Sequence, residues 1–404
     1  GRDDRGAGHR DETRLAYDSA VRSSNPRQEV GLSPEPGIVP NPGGKGSAIP
    51  TGEPDADPRR WVALALLSVA QLFGMSLWFT AGAVGPELQE RWALSAAQAA
   101  GLVSTVQWGF VAGTVVAAGL NLADLVPGRA LFAASALLAA AANACLLVAP
   151  GYGVAMGLRF ATGFFLAGVY PPAMKMVSTW FRSGRGLAIG TVVGALTLGK
   201  ASPYLVKALE GTGTGWVLLG SSGAAACAGL LILVTYREGP YGFRRSPFRW
   251  DQVRRVLAHR PTRLAILGYL GHMWELYAMW AAMAPFLLSR LGDPRAASLA
   301  AFLAIAAGAP GCVLAGRWAD RWGRERIASL AMVFSGSLAL LVGWVPVPPG
   351  LLVVLAVAWG FWVVADSAQF SALVTEVSPE DAVGTALTVQ TGLGFALTGL
   401  TIPA

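Results

Sequence analysis

The residues best able to do chemistry are polar and ionisable side chains set inside long apolar runs. Gly271-His272-Met273-Trp274-Glu275-Leu276-Tyr277 places His272 and Glu275 three positions apart, neighbours on one face of a helix. A carboxylate shielded from water there is suited to loading and releasing a proton, which His272 could share, or His272 could bind substrate. A buried Glu–His pair that only ties helices together is the competing reading. Trp359, Trp362, Asp366 and Gln369 follow at spacings of three, four and three, one helical face with a carboxylate among aromatics. Such stripes are more often core, yet a buried Asp needs a partner. Arg159, Gly163 and Tyr170 share a face of an earlier run. Arg159 could hold an anion bidentately, pair with a carboxylate, or bond neighbouring backbone. Gln71 and Trp78, seven apart and nearly aligned, are the candidates in the first run. Ionisable groups at such depth default to pathway residues.

Other chemistries are poorly served. Of three histidines, His9 and His259 lie outside the apolar runs, and none follows His272 at metalloprotease spacing. Neither a metal site nor an enzyme is expected, and no cofactor. Gly194 through Lys200 reads G-x-x-x-x-G-K, but Ala201 stands where a nucleotide loop needs Ser or Thr, and no strand precedes it. Lys200 either faces the pathway or snorkels outward; Lys175 is expected to snorkel beyond a kink at Pro171-Pro172. Cys145, Cys227 and Cys312 all lie in apolar runs and read as small core residues.

These residues require membrane-spanning helices to position them. The 404 residues are 53% hydrophobic and only 14% charged, with positive mean hydropathy, a composition suited to lipid rather than water. Eleven continuous runs of about 20 residues, the length a crossing needs, cover 61–84, 96–120, 129–149, 152–178, 184–206, 214–236, 263–289, 296–316, 327–346, 350–375 and 383–404. Continuous rather than alternating apolarity argues for helices, and their Ala, Gly and Leu for close packing. Residues 1–58, rich in Gly, Pro, Ser and charge, read as a disordered tail and not a signal peptide. The opening at Gly1 and the close at Ala404 read as the ends of a fragment. The segment 237–262 separates the 59–236 domain from 263–404. In it Trp250, Val253, Val256 and Leu257 suggest one face of an interfacial helix, with a solvated connector as the alternative. With the amino terminus inside, seventeen basic residues flank the spans on the cytoplasmic face against four outside, as the positive-inside rule asks. The net charge of +7 thus needs no nucleic acid to explain it.

Gly316-Arg317-Trp318-Ala319-Asp320-Arg321-Trp322-Gly323-Arg324-Glu325-Arg326 reads as a charged turn after the eighth run. Gly119, Ala123-Asp124 and Gly128-Arg129 repeat its pattern after the second, with Asp320 falling 196 positions after Asp124. Internal symmetry of this kind is typical of secondary transporters. The loop resembles the signature of the major facilitator superfamily. Arg159-Phe160-Ala161-Thr162-Gly163 with Ala167-Gly168 is similar to that family's arginine motif. Gly168-Val169-Tyr170-Pro171-Pro172, Trp180-Phe181 and Arg185-Gly186-Leu187-Ala188 resemble the nitrate/nitrite and organic-anion branches in part.

The resemblance implies an all-α membrane protein of two six-helix bundles of inverted repeats, eleven spans being present and the final one missing. It implies a central cavity lined by runs one, four, seven and ten, and a gate at Asp124, Arg129, Gly316, Asp320, Arg321, Gly323 and Arg324. There Asp320 would face the positive end of a helix while Arg321 and Arg324 latch; a plain topogenic loop is the alternative. The function implied is alternating access by a small solute in a monomer of the cell membrane. One cation facing two acids makes a small organic anion the first choice, with Arg159 as anion contact and Glu275 or Asp366 carrying the proton. Drug efflux, nitrate-type exchange and a non-transporting receptor are the alternatives.

Overall fold

In hydrocarbon a chain must satisfy its own backbone, which long apolar runs achieve by closing into helices. The computed structural model describes residues 57–209, 213–241 and 249–401, and its regular elements are all helical. The expected tail falls, but for its last two residues, outside the described residues. Before the linker come α1 Arg59–Met75, α2 Thr80–Ala83, α3 Gly85–Trp92, α4 Ala96–Gly119, α5 Leu122–Leu125, α6 Gly128–Cys145, α7 Tyr152–Leu166, α8 Tyr170–Ser178, α9 Arg185–Ala208 and α10 Thr214–Thr235. After it come α11 Trp250–Ala258, α12 Arg260–Leu291, α13 Pro294–Ala306, α14 Gly308–Trp322, α15 Arg324–Trp344, α16 Pro349–Ala365, α17 Ser367–Val377 and α18 Val383–Thr401.

Nine helical stretches among the described residues are long and apolar enough to cross a membrane, against eleven runs in the sequence. The two that fall short do so for different reasons, length in the first and composition in the second. The first run is interrupted after Met75, and α12 dilutes its hydropathy with His272, Glu275 and its tryptophans and tyrosines. Outward side chains are apolar: Val234 is 80% and Trp344 85% exposed. A surface of that kind is solvated by lipid. Cys145 and Cys227 also lie on exposed surface, and only Cys312 is the core residue expected.

Several runs break at depth, and each break has a cause. The fourth breaks at 167–169, between α7 and α8, rather than at its prolines. Pro171 and Pro172 occupy the first turn of α8, where a missing N–H costs no hydrogen bond, so the interruption falls upstream. The tenth run turns at Asp366, between α16 and α17. The charged stretch after the eighth run is mostly helix, not turn. Helix α14 continues through Trp322, and the chain reverses at Gly323, whose φ of +88° disfavours a side chain. The linker does form a helix, α11, but its buried residues are Gln252 and Val256, while Trp250 is 70% exposed. Val256 joins Ile266, Val374, Ala382 and Ala386 in a small core, and Arg255 pairs with Asp381 at 2.7 Å.

Helix α9 forms a glycine seam with α14. Cβ atoms on Gly190 and Gly194 would stand 2.9 and 3.0 Å from the carbonyl oxygens of Cys312 and Ala309, and one on Gly316 would meet the Gly186 carbonyl at 3.0 Å. Backbones approach this closely only where side chains are absent. On its other side Gly199 meets the α1 backbone at Leu72, so α9 is clamped between α1 and α14.

Candidate functional site

The break after α1 leaves the carbonyls of Leu77 and Trp78 outside a regular helix, and each needs a donor where no water reaches. Arg159, from α7 and fully buried, supplies them. Its Nη1 donates to Leu77 O at 3.1 Å, Thr80 Oγ1 at 3.0 Å and Asn143 Oδ1 at 3.0 Å; Nη2 donates to Trp78 O at 2.5 Å and Nε to Leu102 O at 3.4 Å. The guanidinium is thus bonded to backbone and neutral side chains, the last of the three readings open to it in the sequence. Asn143 Nδ2 in turn donates to Ser222 Oγ at 3.0 Å, tying α6 and α10 into the same network.

The Trp78 ring held by this clamp turns toward Lys200 of α9. The lysine is 2% exposed, and its Nζ lies 4.0 Å from the Trp78 ring centroid, 4.7 Å from that of Tyr277 and 5.0 Å from that of Trp280. It also donates to the Tyr277 hydroxyl. An ammonium over aromatic faces is attracted by the ring quadrupoles, so Lys200 faces inward rather than snorkelling. Phe110 and Phe395 close one side of this cluster, their rings 4.4 Å apart and 5.3 and 5.6 Å from that of Trp78. Gln71, one turn before the break, is fully buried with neither amide atom partnered among the described residues. Tyr170 is half-buried at the start of α8.

Helix α12 carries the acid-and-base group. His272 does not pair with Glu275. Its Nδ1 lies 2.7 Å from Oδ1 of Asp366, both side chains almost wholly buried, while Nε2 has no partner among the described residues. The contact is close but poorly aligned, since Asp366 Oδ1 gains no hydrogen bond from it. Glu275, half-buried, accepts from Trp359 Nε1 at 3.1 Å and Ser335 Oγ at 3.0 Å. Of the expected stripe on the tenth run, Trp359 and Asp366 both face α12, Trp362 diverges from them within α16, and Gln369 lies beyond the turn at Asp366. Trp359 turns to Glu275, Trp362 stacks on Phe334 at 4.7 Å, and Gln369 accepts from Arg324 at 3.3 Å. Among the described residues no three His, Cys, Asp or Glu gather to hold a metal.

At the end of the molecule where α14 meets α15, Arg324 binds Glu376 at 2.5 Å and reaches Asp320 at 3.9 Å. A Cβ on Gly186 would stand 2.9 Å from Asp320 Oδ1, which sets that carboxylate against the first turn of α9, where the helix dipole is positive. Arg321 is exposed. In the earlier copy of the pattern Arg129 is exposed and Gly128 faces Glu238, whose carboxyl burial pushes up while Lys175 and Arg129 pull it down. The side chain of Asp124 lies outside the described residues.

The sequence profile of the Major Facilitator Superfamily matches residues 66–403. The chain belongs to the major facilitator superfamily. A curated relative, the MFS transporter asaE of Aspergillus flavus, is 27% identical over 237 residues, 57% of this chain and 51% of its own length, so the chain spans about half of that relative. Among solved structures, a bacterial homologue of the human lysosomal transporter Spinster, inward-facing and unoccupied, superposes with TM-score 0.63 at 16% identity, covering 86% of this chain and 82% of its own. A substituted form of the nucleoside transporter NupG gives 0.66 at 14%, covering 84% and 90%. These two structures share the fold.

Within that superfamily fold, two features escape a reading of single runs. Lys200 carries an ambiguous signal in sequence, and its partners Tyr277 and Trp280 none at all, because they come from a run 77 or more positions away. The Asp366 partner of His272 is equally distant, and only the requirement that a buried Asp be paired pointed toward it.

Proposed function

We propose that this protein is a secondary active transporter that moves a small organic anion across the cell membrane, coupled to protons, with its amino terminus in the cytoplasm. The helices before the linker would rock against those after it, and the Arg324–Glu376–Asp320 contacts would latch the cytoplasmic end. The observation that carries the coupling reading is the buried His272–Asp366 pair at the turn between α16 and α17, with Glu275 one helical turn along α12. A carboxylate and an imidazole sealed from water gain or lose a proton at the cost of large local electrostatic change, and a helix that already turns there is the element such a change would move. Family membership and the transporter structures that share the fold support the transporter class.

Efflux of amphipathic compounds is the second reading, favoured by the ring cluster of Trp78, Phe110, Tyr277 and Phe395. Proteoliposomes decide between these and a receptor. Proton-driven uptake of a carboxylate is expected, reduced to downhill exchange in Asp366→Asn and weakened in Glu275→Gln. Unchanged proton-coupled flux in both variants removes the coupling role, and ligand binding without flux favours the receptor.

A further inference from the structure

The lysine box contains more donors than it can use. Lys200 spends one N–H on the Tyr277 oxygen, which leaves two ammonium N–H groups and the Tyr277 proton. The indole Nε1 atoms of Trp78 and Trp280, on rings 0% and 1% exposed, have no hydrogen-bond partner among the described residues. No carboxylate among the described residues lies within salt-bridge distance of Lys200: Asp366 pairs with His272, and Glu275 with Trp359 and Ser335. A buried charge without a counter-ion is costly, and ring faces compensate it only in part. Two unpartnered indole N–H groups beside an ammonium whose contacts are ring faces and one hydroxyl match an anion, and a purely apolar occupant would leave both indoles unpaired.

We infer that Lys200, with the indole N–H groups of Trp78 and Trp280 and the hydroxyl of Tyr277, forms the subsite for the carboxylate of a small, apolar-bodied monocarboxylate. This rests on the transport reading above and gives its anion a place. The box also joins elements from both sides of the linker, since Trp78 and Lys200 precede it while Tyr277 and Trp280 belong to α12. A carboxylate bound there bridges the two sides. Arg159 bonds the Trp78 carbonyl behind the box and contributes no donor to it.

The test uses the purified protein in nanodiscs, thermal stability, and the change in tryptophan fluorescence that depends on Trp78 and Trp280, two of the 14 tryptophans, and is lost in Trp78→Phe with Trp280→Phe. Benzoate, benzamide and benzylammonium share one ring and differ in charge. Benzoate is expected to quench and to stabilise the protein against heat while the other two do not. Lys200→Met is expected to weaken benzoate binding about tenfold or more, the worth of one charge-assisted hydrogen bond, and Lys200→Arg to retain most of it. Size-exclusion retention and helicity check that both variants are folded. Benzoate binding that survives Lys200→Met overturns the proposal, as does failure of benzoate, acetate and salicylate all to bind. Preferential binding of benzylammonium also overturns it, making the box a cation cage that Lys200 fills. The transport reading fails separately: bound benzoate with no flux refutes it while leaving the subsite standing.

Discussion

Replacing Arg159 by lysine keeps the charge but removes the fork that reaches Leu77, Trp78, Thr80, Leu102 and Asn143 together. Leu77 O keeps the Thr80 hydroxyl as donor, so the group at risk is Trp78 O, and a buried carbonyl left without a donor costs about 1–3 kcal/mol. Arg159→Lys is expected to lower the melting temperature in detergent markedly while leaving benzoate quenching in the folded fraction nearly intact. The reverse pattern, a stable protein that no longer binds benzoate, would return Arg159 to the anion-contact role its residue type suggests. Under the proposed subsite, arginine and lysine exchange the tasks their types advertise. The guanidinium, with five donors in a fixed plane, suits a cluster of backbone oxygens, and the compact ammonium suits an aromatic box.

The breaks and the glycine seam set the mechanics of the elements. Helices α9 and α14 touch backbone to backbone at Gly190 and Gly194. Gly190→Leu would force them apart against the Cys312 carbonyl, and overpacking of this kind typically costs about 1–3 kcal/mol. A lowered melting temperature and loss of transport are expected; a variant that melts like the parent would show that the seam opens without cost. Gly323→Ala tests the reversal between α14 and α15. Open space surrounds the added methyl group, so the penalty is backbone strain alone, about 1–3 kcal/mol. Its signature is reduced stability with ligand affinity unchanged.

At the scale of the molecule, Arg324 joins α15 to α17 through Glu376 and Gln369 and reaches α14 at Asp320, while Asp320 abuts α9. Arg324→Ala is expected to loosen that end of the molecule. Cys312, whose carbonyl meets α9 and whose buried thiol bonds Val364 O of α16 at 3.2 Å, reports it: with Cys145 and Cys227 changed to Ser, its reaction with a maleimide should quicken severalfold, and an unchanged rate would deny the latch. Much of this protein was legible from sequence. Apolar runs of bilayer length determine helices, because no other open element satisfies its backbone in lipid. The echo of Asp320 at Asp124 marks the family without any coordinates. Polar residues such as His272, Glu275, Asp366 and Lys200 stand out inside those runs because burying them is costly. Their partners did not follow, because helical periodicity predicts which residues share a face within one run and holds only while the helix is continuous. The breaks at 76–79 and Asp366 reset those faces, and Gln369, beyond the second break, meets Arg324. Which distant run answers a buried charge is decided by packing in three dimensions, and only the tertiary structure put Asp366 against His272, the Leu77 and Trp78 carbonyls on Arg159, and three aromatic rings around Lys200.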